Sequence, residues 1–212
     1  DNGYENGALV NLTIPSTILD VDSYAFANNL NLENVTIENK VIGPYEFYNC
    51  PKLKKIRIPD DFEEIGEGAF GATGLEEIWI PFVGRHAFTE NSAESLLGYI
   101  FGTDNSVMTN VTEVTQRFSD TSDSFNYLVP SSLRKVHVTN DTAIGYGSFM
   151  GMSMLTMVEL PEQRSINGTS SDFTTIDAYA FDHAFNRDNE LVTFNIPANT
   201  KVIGEYAFRD CY

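Results

Sequence analysis

The sequence holds two cysteines, three histidines, one tryptophan and 13 basic residues among 212, and each scarcity removes a class of function. Two cysteines are too few for a disulfide framework or a paired thiolate zinc site. Thirty acidic residues against 13 basic ones leave a net charge of -17, the wrong sign for nucleic acid or an anionic membrane surface. No apolar run approaches the roughly 18 residues of a spanning helix. The opening DNGYENG lacks the basic and apolar stretches of a signal peptide, and the chain stops at Tyr212 where a further strand is due, so it reads as a mature or trimmed fragment. His86, His137 and His183 stand in dissimilar surroundings and do not converge by pattern. There is no nucleophile elbow, P-loop, HExxH or CxxC pair, and Asp120-Thr-Ser-Asp123 lacks the Gly and Glu of a calcium loop. The expectation is a protein without catalysis, cofactor or metal.

What the chain does have is repetition. LKKIRIP at Leu53 alternates apolar and charged residues and closes on proline, the pattern of a short strand with one face buried. The same unit appears as LVNLTIP at Leu9, LENVTIE at Leu32, LEEIWIP at Leu75, LRKVHVT at Leu133, LTMVELP at Leu155 and LVTFNIP at Leu191. The leucines are spaced by 23, 21, 22, 58, 22 and 36 residues. A return half follows each strand: VDSYAF at Val21, IGPYEF at Ile42, IGEGAF at Ile65, IGYGSF at Ile144, IDAYAF at Ile176 and IGEYAF at Ile203, with only RHAF at Arg85 to Phe88 in the fourth coil. Burying the few apolar side chains of one coil gains less than ordering it loses, so the coils must stack and share their apolar edges. The chain is therefore expected to be a single solenoid over 1–212, with seven strands and a truncated last repeat.

Several positions follow from this frame. Phe26, Phe47, Phe70, Phe88, Phe149, Phe181 and Phe208 recur at one place in the coil and are expected to stack as a buried ladder. Gly43 and Gly66, with Asp22 in the first return, mark a corner where positive φ is expected. Cys50 and Cys211 occupy the same coil position far apart, which predicts two buried, unbridged thiols. Residues 82–130 break the period, and the β-like runs from Val107 and Phe125 suggest a hairpin projecting from the solenoid. Residues 162–175, rich in Ser, Thr and Asn, read as a second, exposed loop.

The pattern LxxIxIP followed by IGxxAFxxC resembles the BspA-like, or Treponema-type, leucine-rich repeats over residues 8–212. PFVG at Pro81, LGYIFGT at Leu97 and VPSSLRKVHVT at Val129 resemble a long variant coil found in such proteins. The resemblance implies an α/β-type repeat solenoid: a right-handed leucine-rich repeat with one parallel sheet, irregular or short-helical returns and an inserted hairpin. It also implies a surface or secreted protein, of the kind found in mucosal bacteria and some protists and associated with adhesion.

Alternation along the strands sends every second side chain to solvent, in columns across the sheet. One column reads Thr13, Thr36, Arg57, Trp79, His137, Glu159, Asn195; its neighbour reads Asn11, Asn34, Lys55, Glu77, Lys135, Met157, Thr193. The only tryptophan, Trp79, thus falls among Lys55, Arg57, Lys135 and His137, a basic and aromatic group on an acidic protein. These five residues are the candidate binding site, with the inserted hairpin walling one side. The function expected is a non-catalytic, cell-surface or secreted binding or adhesion module for an extracellular protein or glycan. The alternatives are a structural spacer in a larger surface protein or a targeting domain attached to an enzyme.

Overall fold

The structure, a computed structural model, describes residues 8–107, 109–185 and 192–211. In chain order the strands are β1 (Asn11–Ile14), β2 (Asn34–Ile37), β3 (Val41–Ile42), β4 (Lys55–Arg57), β5 (Glu64–Ile65), β6 (Glu77–Ile80), β7 (Val111–Gln116), β8 (Phe125–Pro130), β9 (Lys135–Val138), β10 (Ala143–Ile144), β11 (Met157–Glu159), β12 (Gln163–Ile166), β13 (Thr169–Asp172), β14 (Thr175–Ile176) and β15 (Val202–Ile203). The only helical pieces among the described residues are two 3₁₀ turns, Ala93–Ser95 and Leu97–Ile100. The molecule is a parallel-strand solenoid with little helix, held by one continuous core whose deepest members include Leu32, Leu53, Leu75, Leu133 and Leu155, all fully buried.

Six coils each contribute one strand to the expected face, β1, β2, β4, β6, β9 and β11, and the pairing is parallel throughout that face. It is not one unbroken sheet: β1 pairs with β2, and a separate sheet runs β11, β9, β6, β4. The seventh strand expected from LVTFNIP is absent, since residues 192–197 form no ladder with β11, and Leu191 lies outside the described residues, as does the expected lead-in at 1–7. On the return side a second set of very short parallel ladders appears, β3 with β5 and β10 with β14 and β15. Between returns the phenylalanine N–H groups donate to the next coil, Phe47 to Ala69 O at 2.9 Å and Phe149 to Ala180 O at 2.7 Å, so that irregular backbone still finds partners.

The phenylalanine ladder forms in two runs. Phe26, Phe47 and Phe70 stack with centroids 5.9 and 5.8 Å apart, and Phe149, Phe181 and Phe208 at 4.9 and 5.1 Å. Phe88 is not the fourth rung: it is only partly buried. The hydrogen bond from Phe70 N–H to Ile100 O puts Phe101 there instead, 1% exposed, so the fourth return is Leu97 to Phe101 rather than RHAF. The insertion itself supplies the missing rung.

The corner glycines correct the sequence expectation. Neither Gly43 nor Gly66 has positive φ; the left-handed residue lies two places later, at Tyr24, Tyr45, Gly68, Gly147, Tyr179 and Tyr206, with φ between 53° and 63°. Gly43 and Gly66 are needed for space, because a Cβ would stand 2.3 Å from Val21 O in the first case and 2.4 Å from Pro44 N in the second. The tyrosines tolerate their strained backbone while their rings pack on one another, Tyr24 stacked on Tyr45 at 5.0 Å and Tyr179 tilted between Tyr146 and Tyr206 at 5.2 and 5.3 Å.

The inserted hairpin of β7 and β8 is antiparallel as expected, but it does not project. Val114, Gln116, Tyr127 and Val129 are buried, because the apolar face of the hairpin covers the gap left by the aberrant coil. Gln116 ties it down: its Oε1 accepts from Gly98 N–H at 2.8 Å and its Nε2 donates to Ser148 O at 2.9 Å. At the tip, Tyr146 Oη donates to Asp120 at 2.7 Å and Arg117 lies 5.3 Å over Tyr179. The second insertion is a hairpin rather than a loop, β12 paired with β13 through Asn167 and Gly168 at φ 50° and 78°. Two consecutive left-handed residues are what a tight two-residue turn between twisted strands requires.

Both thiols are free. Cys50 is buried and donates to Phe26 O, and Cys211, only partly buried, donates to Phe181 O, each fastening itself to the ladder position of the coil before. Burial pushes both up to about 11.

Two buried carboxyls make stability depend on pH. Burial pushes Glu46 up to about 7, against an opposing hydrogen bond from Gly43 N–H, and Asp141 up to about 6. A folded-state pKa above the unfolded one means the folded chain binds more protons between the two values, so stability falls as pH rises through that window. Glu77, Asp61 and Asp104, all held low, are ionised across it and do not contribute. The chain is expected to be more stable at pH 5 than at pH 8 by about 2 kcal/mol. Glu46→Gln should remove much of that difference, read from urea midpoints at the two pH values.

Candidate interaction site on the strand face

The register of β4, β6, β9 and β11 assembles the predicted columns. Arg57 lies beside Trp79, Trp79 beside His137 and His137 beside Glu159; in the next column Lys55, Glu77, Lys135 and Met157 are neighbours. A parallel sheet places equivalent residues of successive coils about 4.8 Å apart, which brings planar side chains to stacking distance. The Trp79 indole and the His137 ring are parallel within 7° with centroids 4.6 Å apart.

The five sequence-predicted residues therefore come together, but not as a free basic patch. Glu77 stands at their centre and was not counted among them. Its carboxylate is 2.7 Å from Lys55 Nζ, 3.9 Å from Lys135 Nζ and 3.1 Å from His137 Nε2. Glu159 meets the other imidazole nitrogen, Nδ1, at 2.6 Å. The side chains of Glu77 and His137 are only 11% and 10% exposed, so this is a half-buried ionic network in which the lysines lie above a shared carboxylate. The hydrogen bond from Lys55 is the main reason Glu77 is held below the usual carboxylate range, and Lys55 is raised in turn. Both glutamates were visible in the two columns; alternation alone does not say which neighbours pair.

Exposure divides the group. Trp79 is half-buried and His137 buried, contrary to the expectation that both stand in solvent, because each covers the other. Arg57 is exposed and makes no ion pair among the described residues. The face thus offers a free guanidinium, the uncovered part of an indole and two lysine heads, above a network that fixes the imidazole and the indole rigidly. The hairpin of β7 and β8 does not wall this surface, since it is packed against the returns; the nearer wall is Ser132 and Arg134, which with Lys55, Glu76, Glu77 and Lys135 line a cleft of about 390 Å³.

Elsewhere, Asp182, His183 and Asp210 place candidate ligand atoms within 4.8 Å of one another. Arg209 already binds Asp182 through two nitrogens, at 2.8 and 2.5 Å, and lies 5.0 Å over Tyr179, so the group works as an ion-pair clasp on the last described coil.

The family described as BspA type leucine-rich repeat region matches residues 1–95 and 109–212, in six copies. The chain belongs to this family. The BspA-type repeats are commonly surface-associated and involved in protein interaction, and solenoids of this kind typically serve as non-catalytic binding scaffolds. A leucine-rich repeat protein from Eubacterium ventriosum, known from a crystal structure, has the same fold at a TM-score of 0.53 and 20% identity. The alignment covers 95% of this chain and 42% of that one, so this chain spans less than half the length of that protein. No curated protein matches. Among the described residues, no helix is long and apolar enough to cross a membrane.

Proposed function

We propose that this BspA-type chain is a non-catalytic binding module of a cell-surface or secreted protein, engaging an extracellular protein or glycan through its strand face. The observation that carries this reading is the row Arg57, Trp79, His137 on an open parallel sheet. There a half-buried indole is locked against an imidazole, while the guanidinium beside it makes no ion pair among the described residues. A tryptophan held rigidly on a face loses little freedom when a partner docks, and an arginine beside it supplies a charge for the same partner, the pairing of residue types that concentrates binding energy in a few residues.

An array of extracellular-matrix proteins and glycans, probed with the wild-type chain and with Trp79→Ala, tests it. A partner bound by the wild type should be held by the variant about 30-fold more weakly, near 2 kcal/mol. The variant loses one ring contact, so its unfolding free energy should change by only about 1 kcal/mol. Equal binding by both proteins would assign Trp79 to packing alone. A blank array with a folded wild type would favour the spacer alternative.

A further inference from the structure

The two insertions, far apart in sequence, meet at one place. The segment that follows β6 and the hairpin of β12 and β13 enclose a cleft of about 610 Å³ at the corner the chain turns after the strands. This lies within the range of small-ligand sites and is ample for a short oligosaccharide. The hairpin is fixed over the corner by Asn140, 5% exposed, whose Nδ2 donates to Asp60 O at 2.6 Å and to Ser165 O at 3.1 Å while its Oδ1 accepts from Ser165 N–H at 2.6 Å. The cleft is therefore built and held, not a gap beneath a loose strand.

Its walls differ in chemistry. Phe62 and Phe82 form an apolar floor, and Asp60, Glu63 and Asp61, the last paired with Lys40, supply acceptors along one side. Opposite them, on β12, is Arg164. Its Nε is shut off from solvent without a hydrogen-bond partner, and the guanidinium makes no ion pair among the described residues. In a chain where acidic residues outnumber basic ones by 30 to 13, a buried guanidinium nitrogen without an acceptor is an anomaly. Asp141, the buried carboxylate Arg164 acts on through space, has its oxygens occupied by the Phe88 and Thr142 N–H groups.

We infer that this cleft binds an acidic saccharide, its carboxylate on Arg164 and its hydroxyls donating to the Asp60, Asp61 and Glu63 side. A carboxylate meets the terminal nitrogens of this guanidinium, which has no ion-pair partner among the described residues, with charge-assisted hydrogen bonds. A ligand rich in hydroxyl donors suits the acceptor wall. The apolar floor receives the C–H face of a sugar ring. The strand-face site is separate, and the two proposals stand or fall independently.

The test is calorimetry or saturation-transfer NMR with a galacturonate trimer and 3′-sialyllactose, against their neutral counterparts, a galactose trimer and lactose. Binding of at least one acidic sugar is expected, with the neutral counterparts weaker by about tenfold or more, the loss of one charge-assisted pairing. Arg164→Gln should lower the acidic sugar's affinity to the neutral level, and Arg164→Lys should restore part of it. Trp79→Ala should leave it unchanged. No binding of either acidic sugar, equal binding of neutral and acidic sugars, or undiminished affinity in a folded Arg164→Gln variant would overturn the assignment.

Discussion

Phe181→Ala is expected to lower the unfolding free energy by about 3–5 kcal/mol, the range for emptying a buried aromatic site. Phe181 is fully buried and touches four rings: Phe149 and Phe208 stack on its two faces at 4.9 and 5.1 Å, Phe194 meets it edge-on at 5.0 Å, and Phe185 lies 5.7 Å away. The backbone there is held by hydrogen bonds to both neighbouring coils, so it cannot collapse into the space a phenyl group leaves. In a stacked array each coil is stabilised mainly by its neighbours, which makes the damage directional. Hydrogen exchange should show protection lost around β14 and β15 while β4 and β6 keep theirs. A loss under about 1 kcal/mol in urea unfolding would mean that the surrounding phenylalanines repack, and equal loss of protection at both ends would mean that the array unfolds as one cooperative unit.

Gly66→Ala is expected to destabilise by about 3 kcal/mol, at or beyond the top of the usual range for overpacking. The added methyl would stand 2.4 Å from Pro44 N, 2.6 Å from Gly43 C and 2.8 Å from Pro44 Cα, all backbone atoms of the coil before. Side chains can turn aside; stacked backbones held by the β3 and β5 ladder move only if the coils part. Gly168→Ala makes the comparison, since its Cβ would meet nothing within 4 Å and carries only the strain of φ 78°. That variant should lose about 1 kcal/mol. If the two substitutions prove equally mild, coil spacing is softer than the contacts imply; if Gly168→Ala is the worse, backbone conformation and not close approach is what glycine serves in this fold.

The glycine comparison also shows how far the sequence could be read. The repeat made a special residue at Ile65-Gly66 obvious, and two physical reasons for glycine are indistinguishable in one dimension. Positive φ belongs to the next positions but one, where Tyr45 and Tyr179 stand in the left-handed region. A tyrosine there gives no warning, because its backbone strain is offset by ring stacking on tyrosines of adjacent coils. The tight turn of the second hairpin, by contrast, is written in Asn167-Gly168, inside a stretch whose Ser, Thr and Asn content marks it as loop.

By itself the sequence determined the solenoid, the register of its strands and the columns that put Arg57, Trp79 and His137 side by side, because a period of about 22 residues repeats the same buried positions coil after coil. Stacking is a nearest-neighbour problem, and neighbours one period apart are visible in the string. What only the tertiary structure decided is everything that depends on contacts without a period. Phe101 rather than Phe88 takes the ladder position of the fourth coil, because that position is chosen by which backbone reaches Phe70. The hairpin of β7 and β8 lies down because Gln116 and Tyr127 find partners on the return side. Glu77 neutralises the lysines above it, since which charges pair is set by distances of a few ångströms across the sheet. Arg164, 101 residues from Glu63, lines the same cleft only because two insertions fold to the same corner.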